Sequence, residues 1–156
     1  MEPTSPVRPE QAEILPLLEK ALRDLAAITI EESPPDTCGG IGFDLLDIQR
    51  FSDMLRAHPR VLNRLFAQAE LTGARREPDF ECGLALRFAA KEAVLKASGE
   101  GWPGKLRFND IVLRDVMKQS QVIVVRHNAD ALTSAHFAVA CRQVDGIAAA
   151  VAIAKI

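Results

Sequence analysis

The sequence has few cysteines, little net charge and no long apolar run, and each shortage closes off a class of protein. Its three cysteines, Cys38, Cys82 and Cys141, are widely spaced, odd in number and form no Cys-x-x-Cys. Neither a zinc site nor a disulfide framework is indicated, and a small buried thiol is expected at each position. Lys and Arg number 19 against 21 Asp and Glu, a net charge of −2. Such a balance exerts no bulk electrostatic pull on nucleic acid or on a membrane surface, so neither is an expected partner. No apolar run approaches the ~20 residues that span a bilayer. The opening Met1-Glu2-Pro3-Thr4-Ser5-Pro6 has neither the basic nor the apolar region of a signal peptide, which gives a cytoplasmic expectation. No internal repeat is visible. What is there is a chain of 156 residues, 48% hydrophobic and 26% charged, ordinary for one soluble domain with enough length for a proper core.

Residues 9–28 are expected to be helical. Pro9 can start the helix, Glu10 and Glu13 suit its N-terminus, and Ile14, Leu18, Leu22 and Leu25 form an apolar stripe. Glu31-Glu32-Ser33-Pro34-Pro35-Asp36 then breaks regularity. Residues 1–36 are therefore set apart as an amphipathic helix and linker, whose stripe must lie on the body or on a partner. Residues 38–46 are expected to form a strand, with Asp44 on the same side as Gly40 and Gly42, where close approach to the backbone is possible. Asp47 can N-cap a helix over 48–58. A short helix over 61–69 and a loop over 72–80 follow. The C-terminal part is expected to be β-rich, with strands at 106–113, 121–126, 134–142 and 147–153, the last two joined as a hairpin by Asp145-Gly146. The sum is an α+β domain, an antiparallel sheet packed against one long helix and several shorter ones.

The long helix, 81–98, ends at Gly99, a natural C-terminal glycine. Leu84, Phe88 and Leu95 make one apolar band, and Leu86, Ala89, Ala90, Ala93, Val94 and Ala97 another. Between the bands run two polar stripes, Arg87 with Lys91 and Glu92 with Lys96, each at i,i+4 spacing. A helix apolar on two sides is packed on two sides. Glu92 then sits in a seam and needs a partner, either a lysine or a metal. Asp44 and Glu92 both adjoin apolar sequence, and two carboxylates without a protein cage suit magnesium better than zinc. Arg87, Lys91, Lys96 and the turn holding Gly99 and Gly101 supply cations and backbone N–H groups suited to polyphosphate. Spacing alone leaves the same residues describable as helix-surface ion pairs.

Gly40-Ile41-Gly42-Phe43-Asp44-Leu45-Leu46-Asp47-Ile48-Gln49-Arg50-Phe51 resembles the opening motif of the holo-acyl-carrier-protein synthase family, small 4′-phosphopantetheinyl transferases. Arg87-Phe88-Ala89-Ala90-Lys91-Glu92-Ala93, followed by Lys96, is similar to that family's second motif, in the family order and at roughly the family spacing. Phe108-Asn109-Asp110-Ile111 resembles the strand that follows, and His136 falls where the family has a histidine. The resemblance spans about 38–155, giving a 4′-phosphopantetheinyl transferase-like fold and a transferase domain over 37–156, with the N-terminal helix outside it.

The resemblance implies transfer of 4′-phosphopantetheine from coenzyme A, a co-substrate, to a serine of an apo acyl carrier protein, with release of 3′,5′-ADP. It implies Mg2+ held by Asp44 and Glu92, and Glu92, Lys96 and His136 as catalytic residues, with Glu92 the base. Arg87, Lys91, Lys96, Gly99, Gly101 and His136 would contact coenzyme A, with Arg87 and His136 at its 3′-phosphate. Arg50 would meet the acidic carrier. A homotrimer with the site at the subunit seam is also implied, and would account for a helix apolar on two sides. Asp47 replaces a usual Glu, and Ala138 and Ala140 replace hydroxyl residues near His136. These departures motivate an alternative, a catalytically impaired relative that binds coenzyme A or a carrier without transfer.

Overall fold

The structure is a computed structural model that describes residues 38–99, 107–113, 121–124 and 136–155, together with Pro16, Glu19 and Arg23, with the backbone alone at Cys38, 121–124, His136 and Lys155. The helix expected at 9–28 and the linker after it lie, apart from those three residues, outside the described residues. So does the segment that holds Gly101.

The domain is α+β, as expected. Strand β1 (Cys38–Asp47) leads into helix α1 (Ile48–Ala57). Asp47 caps that helix by accepting from the Arg50 amide at 2.8 Å, which satisfies one of the first-turn N–H groups. A 3₁₀ turn (Pro59–Val61), α2 (Leu62–Leu65) and α3 (Gln68–Ala74) follow. The long helix α4 (Phe80–Ala97) is capped by the Asp79 carboxylate on the Cys82 amide. It ends at Gly99, whose φ of 72° suits a residue without Cβ. The chain then supplies a second 3₁₀ turn (Phe108–Asp110) and strands β2 (Gln121–Val124), β3 (His136–Val144) and β4 (Ile147–Lys155).

The strands form one antiparallel sheet in the order β1-β4-β3-β2. Asp145 and Gly146, at φ 46° and 79°, turn β3 into β4 as the expected two-residue hairpin. Positive φ at both turn residues matches the twist of the flanking strands. Helix α4 covers one face of this sheet. A Cβ added at Gly42 would run into the Ala93 carbonyl, and one at Gly40 into that of Ala97. The glycines of β1 thus let a strand and a helix meet backbone to backbone. Ala148, Ala150 and Ala152 of β4 lie fully buried beneath the same helix, with Phe137 and Val139 of β3.

The apolar band of α4 that carries Phe88 is also filled from within the chain. Phe51, Leu55, Phe66, Leu71, Ile111 and Leu113 join it in one core. Phe88 stands between Phe51 and Phe108, with ring centroids 4.9 and 5.2 Å away. A subunit seam is therefore not needed to explain why α4 is apolar on two sides.

Three local expectations are corrected. Within 107–113 the chain makes a 3₁₀ turn rather than a strand, because the Asp110 carboxylate takes the Arg107 amide at 2.9 Å and closes the turn locally. The helix expected over 61–69 is broken at Phe66, which is extended at φ −126°, ψ 137°. The loop expected from residue 72 begins later, since α3 runs to Ala74, with the Glu70 carboxylate on the Ala67 amide at 2.9 Å.

Candidate active site

The glycine face of β1 carries Asp44 toward α4. There the Lys96 ammonium donates to Asp44 Oδ1 at 2.7 Å and to the Phe43 carbonyl at 2.8 Å. The Asp44 side chain is 15% exposed and that of Lys96 50%, so the pair sits at the mouth of the β1–α4 seam, with the acid inside and the lysine outside. Glu92 lies one helical turn before Lys96 and is half-buried. Burial pushes its carboxyl above the usual carboxylate value, the negative charge of Asp44 pushes further, and Lys96 pulls it partly back. Two acids thus feel each other across the seam with one lysine between them, and the cluster is short of positive charge.

That shortage, together with an all-oxygen donor pair, is the chemistry a hard cation answers. Among the described residues no group of three or more His, Cys, Asp and Glu could close around a metal. Two carboxylates fit magnesium, which keeps waters and accepts substrate oxygens, better than zinc. Asp47 is no third acid here. It is spent as the α1 cap and points its register position away from Gly42 and Asp44.

Asp44, Glu92 and Lys96 are therefore brought together, and other expected residues are not. Arg87 and Lys91 are corrections. The Lys91 side chain is fully buried and donates to Glu70 Oε2 at 2.6 Å, to the Leu65 carbonyl at 2.7 Å and to the Phe108 carbonyl at 3.0 Å. All three ammonium protons are used. Burial pushes its pKa below the ordinary lysine value while Glu70 pulls it back up. The Arg87 side chain is equally buried and grips Glu77 at 2.7 and 3.0 Å and the Gly83 carbonyl at 3.0 Å. Neither is available to a nucleotide phosphate. Both stripes of α4 looked alike in sequence, but this one faces α3 and the loop before α4.

Gly99 is exposed just past α4, while Gly101 lies outside the described residues. His136 opens β3 opposite Lys155. Its register position has the parity of Ala138 and Ala140, whereas Phe137 and Val139 meet α4. Its side chain is outside the described residues. Arg50 is exposed in the first turn of α1.

The residues that sequence reasoning missed are the acids Glu70 and Glu77. Glu70 is fully buried and also accepts the Leu113 amide at 3.1 Å. Its one signal is an acid set between Ala69 and Leu71 at an apolar position of α3.

Comparison with known proteins bears on the family and the fold. Residues 40–152 match the family described as the 4′-phosphopantetheinyl transferase superfamily. A holo-[acyl-carrier-protein] synthase from Beutenbergia cavernae is 34% identical over 122 residues, covering 74% of this chain and 97% of that protein. One from Magnetococcus marinus is 50% identical over 76 residues, covering 46% of this chain and 55% of that protein. Among solved structures, the Bacillus anthracis holo-(acyl-carrier-protein) synthase, in complex with CoA (3′,5′-ADP), superposes with a TM-score of 0.62 at 24% identity, covering 76% of this chain and 97% of that one. The Helicobacter pylori enzyme in complex with coenzyme A gives a TM-score of 0.60 at 24% identity, covering 74% and 99%. At that identity the structural likeness speaks for the fold.

Proposed function

The chain belongs to the 4′-phosphopantetheinyl transferase superfamily, and on that premise we propose that it moves 4′-phosphopantetheine from coenzyme A to a serine of an apo acyl carrier protein. The serine oxygen bonds to the β-phosphorus of coenzyme A, the bond to the bridging oxygen breaks, and 3′,5′-ADP leaves. The observation that carries this reading is the meeting of Asp44, Glu92 and Lys96 at one seam, drawn from two motifs far apart in the chain.

Asp44 and Glu92 are the residues that would hold a magnesium ion, which when bound would neutralise charge on the pyrophosphate. Glu92 is the base for the serine proton. Lys96 has a half-exposed side chain on a flexible stem and leaves Asp44 to meet a phosphate oxygen of coenzyme A. Arg50, exposed on α1, offers a cation to an acidic carrier. His136 and the turn from Gly99 through Gly101 are proposed contacts of the nucleotide end. Catalysis is then mostly positioning and charge compensation. The family likeness supports action in the cytoplasm. The homotrimer implied by the resemblance would draw on the apolar face of the sheet opposite α4.

The test is mass spectrometry of candidate apo carriers incubated with the protein, coenzyme A and magnesium. The expected result is a gain of one phosphopantetheine on a single serine. Folded protein that modifies no carrier would overturn the reading. A protein that binds coenzyme A in calorimetry but releases no 3′,5′-ADP would be the non-catalytic relative, a reading favoured by the loss of Asp47 to a helix cap.

A further inference from the structure

Among the described residues, no hydrogen bond or ion pair holds the Glu92 carboxylate. Where it points is therefore set by how α4 is turned about its own axis. On one side α4 meets β1, with Gly40 and Gly42 against the backbones of Ala97 and Ala93. That contact fixes how closely the two elements lie, but a glycine surface has no side chain to resist rotation. Lys91 lies about 200° around the helix from Ala93, at about 100° per residue, so it anchors the opposite side. Glu92 falls between the two. The Lys91 ammonium donates to Glu70 Oε2 at 2.6 Å and to the carbonyls of Leu65 and Phe108 at 2.7 and 3.0 Å. Glu70 ties back the same two segments, with Oε2 also taking the Ala67 amide at 2.9 Å and Oε1 the Leu113 amide at 3.1 Å. Acid and lysine thus grip both the α2–α3 junction and the 108–113 segment. A buried ion pair adds little stability over well-packed apolar residues of similar volume, so what this one supplies is direction.

We infer that Glu70 is a positioning residue for the transfer reaction, acting through Lys91 to hold α4 at the rotation that aims Glu92 across the seam toward Asp44. The inference rests on the transfer reading above, in which Glu92 is the base. Glu70 itself is fully buried and reaches no substrate. Side-chain ends lie about 5–6 Å from a helix axis, so a turn of about 10° carries the Glu92 carboxylate through about 1 Å. A misplacement of about 1 Å is enough to cost about 10²-fold in rate. The second buried pair of this stripe, Arg87 with Glu77, holds only the loop before α4 and the helix's own Gly83 carbonyl. It therefore gives α4 no comparable reference to α2, α3 and the 108–113 segment.

The experiment compares full-length wild type with its Lys91→Met/Glu70→Leu variant, which keeps the interior filled but removes both charges. Denaturation midpoint, carrier kinetics and crystal structures are measured on both. A merely structural role would return activity along with stability. The expected result is a midpoint well above that of either single variant, with kcat still about 10²-fold low and KM for coenzyme A within about threefold. In the crystal, Glu92 should be displaced by about 1 Å or more relative to Asp44. Recovery of kcat together with stability would overturn the inference, as would a Glu92 that keeps its place opposite Asp44. Should the double variant not fold, Glu70→Gln gives the same comparison at nearly unchanged shape. Its single amide oxygen cannot serve Lys91, Ala67 and Leu113 as two carboxylate oxygens do, and a loss of about 10-fold in kcat at unchanged KM is expected. Wild type that modifies no carrier would overturn the transfer reading instead, and the crystal comparison would then decide by itself whether Glu70 sets the direction of Glu92.

Discussion

Lys91 and Glu70 form a 2.6 Å ion pair in which both side chains are fully excluded from solvent, one position before Glu92 on α4. The ammonium also holds the carbonyls of Leu65 and Phe108, and the carboxylate holds the amides of Ala67 and Leu113. One buried pair therefore fixes how α4 is rotated against α2, α3 and the 108–113 segment, and with it the direction in which Glu92 leaves the helix.

Breaking that pair from one side should be costly. Lys91→Met or Glu70→Leu alone is expected to lower stability by about 3–5 kcal/mol, because the remaining charge stays buried without a counter-charge. Lys91→Met combined with Glu70→Leu should recover much of the loss. Urea unfolding of the three variants checks this, and additive losses in the double variant would show that the two residues act separately.

Glu92 makes a prediction about pH. Its carboxyl is pushed up in the folded protein by burial and by Asp44, so the folded state holds the proton more tightly than the unfolded state does. The stability this gives is present below the unfolded value and is lost as pH rises through the folded one. Without divalent cations, Glu92→Gln should match wild type in acid and be the more stable protein at neutral pH. Denaturation midpoints across that range decide it, and a less stable Gln variant at neutral pH would contradict the shift.

In the transfer reaction, Asp44→Ala and Glu92→Ala should each abolish the mass gain of an apo carrier, as should a chelator that removes magnesium. Lys96→Met should lower kcat/KM by about 10²-fold or more, the usual effect of losing one charge-stabilising donor. It should also leave the fold intact, since Lys96 is half-exposed and outside the core. Circular dichroism alongside the carrier assay separates the two effects.

Gly42→Ala tests the seam itself. Its Cβ would enter the space of the Ala93 backbone, which cannot yield as a side chain would. A loss of about 1–3 kcal/mol is expected from overpacking, together with weaker transfer, because β1 can only relieve the clash by moving Asp44 away from Glu92. Chemical denaturation and the carrier assay should report both losses, and a variant with native stability would place the strand farther from the helix.

Much of this arrangement was legible beforehand because it rests on local chemistry. Asp47 as a cap, Gly99 at positive φ, Asp145-Gly146 as a hairpin turn and the glycine side of β1 all act within a few residues. So do the motifs holding Asp44, Glu92 and Lys96. Arg87 and Lys91 were misread because an i,i+4 stripe of cations looks the same whether it faces water or a buried acid. Glu70 and Glu77 reach them from 21 and 10 positions away, and no periodicity records that. The 108–113 segment failed for a similar reason. An Asp that bonds its own backbone competed with a strand pattern and won.

The strand order also dictates when the seam can exist. Among the described residues β1 joins the sheet through β4 alone, with Asp44 opposite Ala150. Its pairing partner, β4, lies about a hundred positions later, and that strand is built largely of alanine, a weak strand former by itself. During synthesis Asp44 precedes Ala150, its partner across the ladder, by about a hundred positions, and it has no sheet to belong to until that later strand is free. Closure of so distant a pairing is entropically slow. The acid cluster should thus be among the last features to form in folding, and a chain lacking β4 should retain a helical core while presenting Glu92 without Asp44.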